Sequence, residues 1–296
     1  MQGKGTLMES RIRERQNEKV AIDYLAAQRQ LYKESNRYEL YKWICMVALP
    51  VICAVIKSII IEDVVLNIIT YMIPILSFVL SYYIGEQSKI LRRMAAEIQQ
   101  HFDLYVYQME WNTLLFGKKQ DVTNLVAEKS EVLNKSEREK LRNWYELDDK
   151  KHSNEEEIPV CQLENINWDG NLRKRYKVWN CIIIGIISIG ILLWGIIKEE
   201  TVPMLLGRIW IIAPLLKWLW DVVQQLDFNI KSLEDLDSLM GMLDNPNMYD
   251  LQMIQNMIYE HRKTCLKIPD WFYNLFKNKD QEKAKRRASL NVEKKI

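Results

Sequence analysis

The chain has 296 residues, 48% of them hydrophobic and 27% charged, with 41 Lys and Arg against 39 Asp and Glu for a net charge of +2. These averages are unremarkable, and no nucleic-acid polymer is expected as a partner; yet the mean hydropathy of −0.22 hides a segregation of four nearly uncharged stretches from a densely charged remainder. The five cysteines, Cys45, Cys53, Cys161, Cys181 and Cys265, are odd in number and form no CxxC pair, which points to a reduced chain without a disulfide framework or zinc site.

Residues 1–42 are polar and helix-prone and hold no short apolar segment followed by a small-residue cleavage site, so no signal peptide is expected. Val20, Tyr24, Ala27, Leu31 and Tyr38 recur at helical steps and predict one packing stripe on a helix that runs unbroken into an apolar segment. That segment, Trp43 to Ile61, has Lys57 as its only charge; after Glu62 and Asp63 a second, Val64 to Ile84, has none. At about 1.5 Å per residue each is long enough for a hydrocarbon core of roughly 30 Å, so residues 43–85 are predicted to form a transmembrane hairpin.

Residues 86–177 are predicted to be a helical segment in the cytoplasm. Leu91, Met94, Ile98, Phe102, Tyr105 and Met109 continue the second span inward as an amphipathic helix that Gly117 ends. Ser136 and Glu139 suit a capping box for a helix reaching about Leu147, and DDKKHSNEEE reads as an exposed linker. A second hairpin, residues 178–223, pairs the uncharged Val178–Ile197 with Val202–Val223 across the loop KEET. The latter is the weakest span, with Arg208, Lys217 and Asp221 inside it, although Lys217 and Asp221 lie one turn apart near its end. Residues 224–296 are predicted to be helical and cytoplasmic again: Leu226, Ile230, Leu233, Asp237 and Met240 keep helical spacing, DNPN at 244–247 forces a turn, and a basic tail follows that is expected to be disordered.

The fold class is therefore an all-α membrane protein, with four transmembrane helices in two hairpins and a helical cytoplasmic module. Nine Lys and Arg fall in residues 1–42, sixteen in 86–177 and twelve in 224–296, whereas the hairpin tips hold only Lys198. The excess of positive charge places both termini and the central segment in the cytoplasm, with the four spans in an inner membrane.

Within the second span Asn67, Thr70, Pro74, Ser77, Ser81 and Gly85 share one helix face. A polar stripe in lipid must face protein or water, so it lines a pore in a homo-oligomer or forms a helix–helix interface; the spacing leaves both open. Cys181, Gly185, Ser188 and Gly195 mark a comparable small-residue face in the third span, read as packing. Lys57 and Arg208 are the membrane charges, within about two turns of the outer boundary, where they snorkel toward Glu62 or Glu199 or line an outer vestibule.

Catalytic signatures are absent. His101, His152 and His261 are far apart, and the sequence has no HExxH, GxGxxG, GxSxG or phosphate-binding GxxxxGK motif. No enzyme activity, metal or cofactor is expected.

Four spans in two hairpins, YLAAQRQLY before the first, CQLENINWDGNLRKRY before the third and HRKTCLKIPDWFY near the end together resemble the SMODS-associating four-transmembrane effector proteins of bacterial anti-phage defence, over nearly the whole chain. The resemblance implies an effector of a CBASS-type abortive-infection system. A partner nucleotidyltransferase would supply a cyclic oligonucleotide as ligand, and the spans would then breach the lipid bilayer by pore formation or disruption. A cyclic nucleotide needs cations for its phosphates and aromatic faces for its bases, which Trp168, Arg173, Arg175, Arg262, Trp271 and Tyr273 offer near the membrane. Charge anchoring of residues 173–177 and docking of DWFY on the core explain the same residues without a ligand. A membrane anchor that recruits a cytoplasmic partner, or a small constitutive channel, is the competing function.

Overall fold

Glu18, with extended backbone, precedes a 25-residue helix, and the apolar residues that follow it close one face of that helix against two neighbours. The computed structural model describes residues 10–59, 64–147, 152–199, 201–269 and 271–276. A single turn, α1 (Ile12–Arg15), leads into α2 (Lys19–Trp43), which buries Ala21, Leu25, Ala26, Ala27 and Leu31. The predicted stripe on this helix is only half right. Ala27 and Leu31 are fully buried, but Val20 is 48% exposed, because α2 packs on two elements at once and its buried face widens toward Ala21 and Leu25.

The chain then continues through a π-helical turn, Ile44–Ala48, into α3 (Leu49–Ile59). Pro50 gives the physical reason: it lacks an N–H, and its ring would clash with the carbonyl four residues back in a regular α-helix. Widening the preceding turn removes the conflict, with the Leu49 N–H bonding to the Ile44 carbonyl.

Helix α4 (Val64–Tyr107) returns antiparallel along α2. It stops ten residues before the predicted Gly117, because Gln108 adopts a left-handed backbone with φ 58°. Gly117, with φ 71°, ends the short α5 (Thr113–Phe116) instead, which Asn112 caps through the Leu115 N–H. Two more short helices follow, α6 (Thr123–Ser130) and α7 (Lys135–Glu139). The capping box of α7 is made by Asn134 and Glu137, not Ser136 and Glu139, and the helix does not reach Leu147. The Tyr145 N–H and carbonyl are instead bound by the Gln16 side chain, which holds the backbone out of a helix there.

Ser153 and Glu156 form the capping box of α8 (Asn154–Ile197), so the NEEE expected in a linker is the first turn of a 44-residue helix. Helix α9 (Val202–Met242) runs back antiparallel to it, its Pro203 in the first turn where a missing N–H costs nothing. The DNPN turn falls as predicted: Asn247 caps α10 (Met248–Thr264) through the N–H groups of Tyr249 and Asp250. Beyond it, Phe272 is buried between α8 and α9 against Leu172, Tyr176 and Leu226.

All regular structure among the described residues is helical. One described helix, α8, is long and apolar enough to cross a membrane, and only 22% of its most apolar 18-residue window is buried. Ile182, Ile186, Ile189 and Trp194 point outward there, and Ile75, Phe78 and Val79 on α4 do the same. The two helix pairs touch at this level through Val47, Ile184 and Leu215.

Candidate functional site

The polar stripe read on the second predicted span does not stop at the end of that apolar segment. Ser77, Ser81 and Gly85 are buried, and the same face of α4 goes on through Ser88, Arg92, Gln99 and Asp103, all at most 8% exposed. Steps of three, four and seven residues keep these positions on one side of the helix, which meets α2 at Ser88 and Gln99 and α10 at Asp103. Gly85 lies against the Lys42 side chain, and a Cβ added at Gly85 would come within 3.4 Å of Lys42 Cδ. One turn further, the hydroxyls of Ser35 and Ser88 sit 2.9 Å apart, each near the other's carbonyl. Ser81 donates to the Phe78 carbonyl of its own helix at 2.6 Å. Ser77 and Ser81 therefore face protein in the single chain. The side chains of Asn67, Thr70, Lys57 and Arg208 lie outside the described residues.

At the far end of the stripe Asp103 is fully buried and accepts three hydrogen bonds. Tyr145 Oη donates at 2.6 Å, Gln255 Nε2 at 2.9 Å, and Arg262 Nη1 completes the set as an ion pair. Gln255 also donates to Gln100, and Gln162 donates to the Leu251 carbonyl and to Gln255. Burial, and then the adjacent Asp103 carboxylate, push the Tyr145 phenol well above its ordinary range, so it stays a donor. Burial works against the Arg262 cation, but Asp103 outweighs it and raises the guanidinium pKa.

The residue before Arg262 reaches the other helix pair. His261 Nε2 lies 3.2 Å from Asp169 Oδ2 on α8, and its Nδ1 lies 3.3 Å from Ser232 Oγ on α9. Asp169 also accepts from Arg173 Nε at 2.9 Å. Burial opposes its ionisation, yet Arg173 and His261 hold the carboxyl below the usual carboxylate range. Arg173 Nη1 donates to the Leu266 carbonyl at 2.7 Å, and Asn229 Oδ1 accepts from the Leu266 N–H, so the chain leaving α10 is tied to both α8 and α9.

Two consecutive side chains of α10 thus bind the inner stem of one helix pair, through Asp103, and that of the other, through Asp169. Breaking the Arg262–Asp103 pair leaves a buried charge without its partner, at about 3–5 kcal/mol, whereas Asp169 keeps Arg173 when His261 is lost; together the two contacts make a latch between the helix pairs.

The six residues proposed from sequence for nucleotide contact fall into two groups. Arg262 and Arg173 belong to the latch. The other four gather around residues 271–276: Trp168 meets Tyr273 edge-on at 4.6 Å, Arg175 lies 5.0 Å over the Phe276 ring, and Trp271, 54% exposed, packs on Phe272. Asp103, Tyr145, Gln255 and His261 do not stand out in the sequence. The continuation of the α4 stripe past Gly85 is the signal that leads to them. Among the described residues no group of three or more His, Cys, Asp or Glu is placed to hold a metal ion.

A family model described as the SMODS-associating 4TM effector domain matches residues 10–289. The chain belongs to this family. It is also 24% identical over 200 residues to a protein of Bacillus cereus named a probable CBASS effector molecule. The match covers 64% of this chain and 65% of that protein, so the chain spans just under two thirds of the relative's length. No solved structure matches the chain.

Proposed function

We propose that this protein is the membrane effector of a cyclic-nucleotide-triggered anti-phage system, and that it breaches the bacterial inner membrane when triggered. Its family and the name of its Bacillus cereus relative support the effector role. In this reading the apolar parts of α3, α4, α8 and α9 are the four spans, in two hairpins with both termini cytoplasmic. The helices that continue inward from them form the sensing module.

The observation that carries the mechanism is the two neighbouring contacts of α10, the buried Arg262–Asp103 ion pair and the His261–Asp169 contact. A switch needs an element with two arrangements whose balance a ligand can bias. While α10 holds Asp103 and Asp169 together, the spans are fixed side by side with Ser77 and Ser81 covered. A trigger that releases the latch lets the hairpins move apart or assemble in a homo-oligomer, exposing the stripe to water. The wild-type chain should cause little damage by itself and admit propidium iodide within one infection cycle when expressed with its partner nucleotidyltransferase. Asp103→Ala should admit the dye without that partner. Dye entry from the wild-type chain alone would instead indicate a constitutive channel, and none in any condition a passive anchor.

A further inference from the structure

Past α10 the chain turns once more. Residues 271–276 are helical, and the Phe272 and Tyr273 N–H groups reach the Pro269 carbonyl at 3.0 and 3.1 Å. One side of this turn is docked on α8 and α9. Phe272 is fully buried, its ring 5.0 Å from Tyr176 and 5.1 Å from Phe276, and Tyr273 meets Trp168. The other side carries Trp271 and Leu275, one helical turn apart, 54% and 60% exposed. Single exposed apolar residues are ordinary, but these two extend a larger apolar surface.

The Trp179 ring lies 6.4 Å from Trp271 and 6.2 Å from Phe272. From Trp179 the exposed residues of α8 run through Ile182, Ile186, Ile189 and Leu193 in steps of three and four, one apolar face without a charge. Trp179 lies 18 residues before Ile197, about 27 Å along the helix, close to the roughly 30 Å of a hydrocarbon core. Trp271 therefore stands at the end of that face, where the charged part of α8 begins. A tryptophan favours such a boundary, because its ring is apolar and its N–H stays wet.

The residues that follow supply the charge. Residues 277–287 hold six Lys and Arg against Asp280 and Glu282. On the neighbouring parts of α8 and α9, Asp169, Asp227 and Asp221 are already paired with Arg173, Lys177 and Lys217. A second copy of this chain would bring the same excess of cations to the contact, and like charges oppose it. An anionic lipid surface matches both the apolar edge and the charge.

We propose that Trp271 and Leu275, beside Trp179, dock on the headgroup boundary of an anionic bilayer leaflet, with the basic residues from Lys277 to Arg287 supplying the charge that holds them there. The depth of that leaflet follows from reading α8 as a span, so this contact rests on the function proposed above. Eight residues separate Arg262 from Trp271, so the anchor tethers α10, and with it the latch, to the membrane surface.

The test uses the full chain with Cys181→Ser, labelled with the fluorophore NBD at Leu275→Cys, in nanodiscs of phosphatidylcholine with or without phosphatidylglycerol. Cys181→Ser alone gives the background from the four buried cysteines. A nitroxide high on the acyl chain should quench the label at position 275 more than a deep one does. Labels at Ile186→Cys and Met242→Cys mark the extremes: the first should be quenched by the deep nitroxide, and the second, exposed and 19 residues past Val223, by neither. Phosphatidylglycerol should shift the emission at 275 further to the blue. Lys285→Gln with Arg286→Gln and Arg287→Gln should lose that extra shift, as should about 1 M salt, and Trp271→Ser should lose part of the shallow quenching. No shallow quenching at 275, with position 186 quenched, refutes the anchor and leaves the span. Shallow quenching at 275 with none at 186 keeps the surface contact and removes the span. A blue-shifted label that neither nitroxide reaches means that protein covers this face, and a phosphatidylglycerol response that survives the triple substitution means that these charges do not hold it; either result overturns the proposal.

Discussion

Replacing Asp103 with alanine tests the latch most simply. The carboxylate is fully buried and receives bonds from Tyr145, Gln255 and Arg262. Gln255 Nε2 still reaches Gln100 at 2.8 Å, and Tyr145 Oη still accepts from Asn165 at 3.1 Å although its O–H loses its acceptor. Arg262, with its side chain 10% exposed, loses its carboxylate partner. The stranded guanidinium therefore dominates, and the expected loss is about 3–5 kcal/mol. At about 2–4 °C per kcal/mol for a chain of this class, the unfolding midpoint in detergent should fall by roughly 6–20 °C. Removing both charges together, in Asp103→Leu with Arg262→Met, leaves no buried charge unpaired and should recover most of the lost midpoint. Differential scanning fluorimetry on the two singles and the double gives the coupling directly. A single variant within about 1 kcal/mol of wild type, or a double no better than the single, would refute the latch.

Three further outcomes follow from the same geometry. Glu164 is driven up to about 7 by burial; with its folded pKa above the unfolded value, it stabilises the protonated fold and that contribution is lost as pH rises toward 7. His101 is driven down to about 4 by burial, so its contribution runs the other way and is lost as pH falls from about 6.5 toward 4. Urea midpoints across pH 4–7.5 should show a steeper acid loss in Glu164→Gln than in the wild type, and parallel profiles would contradict this assignment. Ser81→Leu inserts a large side chain where the serine is 2% exposed and should cost about 1–3 kcal/mol, read as a lower midpoint; an unchanged midpoint would mean the stripe is loosely packed. Arg173→Met removes the bond to the Leu266 carbonyl and should speed trypsin cleavage after Lys267, with cleavage at the wild-type rate as the contrary result.

The helical architecture was legible because it rests on local patterning. The long apolar runs, the Asn247 turn and the helical spacing around Leu226 and Ile230 are all signals within a few residues of the feature they specify. What was not legible depended on contacts distant in sequence. The helix expected to reach Leu147 is prevented by Gln16, 129 positions from the Tyr145 it binds, and Val20 is exposed because Ala21 and Leu25 turn instead toward Phe102, Leu133 and Tyr145, all distant in sequence. The candidate site follows the same division. The serine face of α4 could be read from its spacing, but the partnership of Asp103 with Arg262, 159 positions apart, appears only once α10 folds back. His261 looked isolated among three scattered histidines, and its meaning comes from Asp169 and Ser232 on two other helices.

The central claim is that a cyclic oligonucleotide opens a membrane lesion through this chain alone. Its most direct test is dye release from liposomes holding the purified full-length protein, challenged in turn with cyclic di- and trinucleotides. The account predicts release with one nucleotide, none without it, and release without any nucleotide from Asp103→Ala. Silence across the panel, with insertion confirmed and Asp103→Ala also silent, would contradict it.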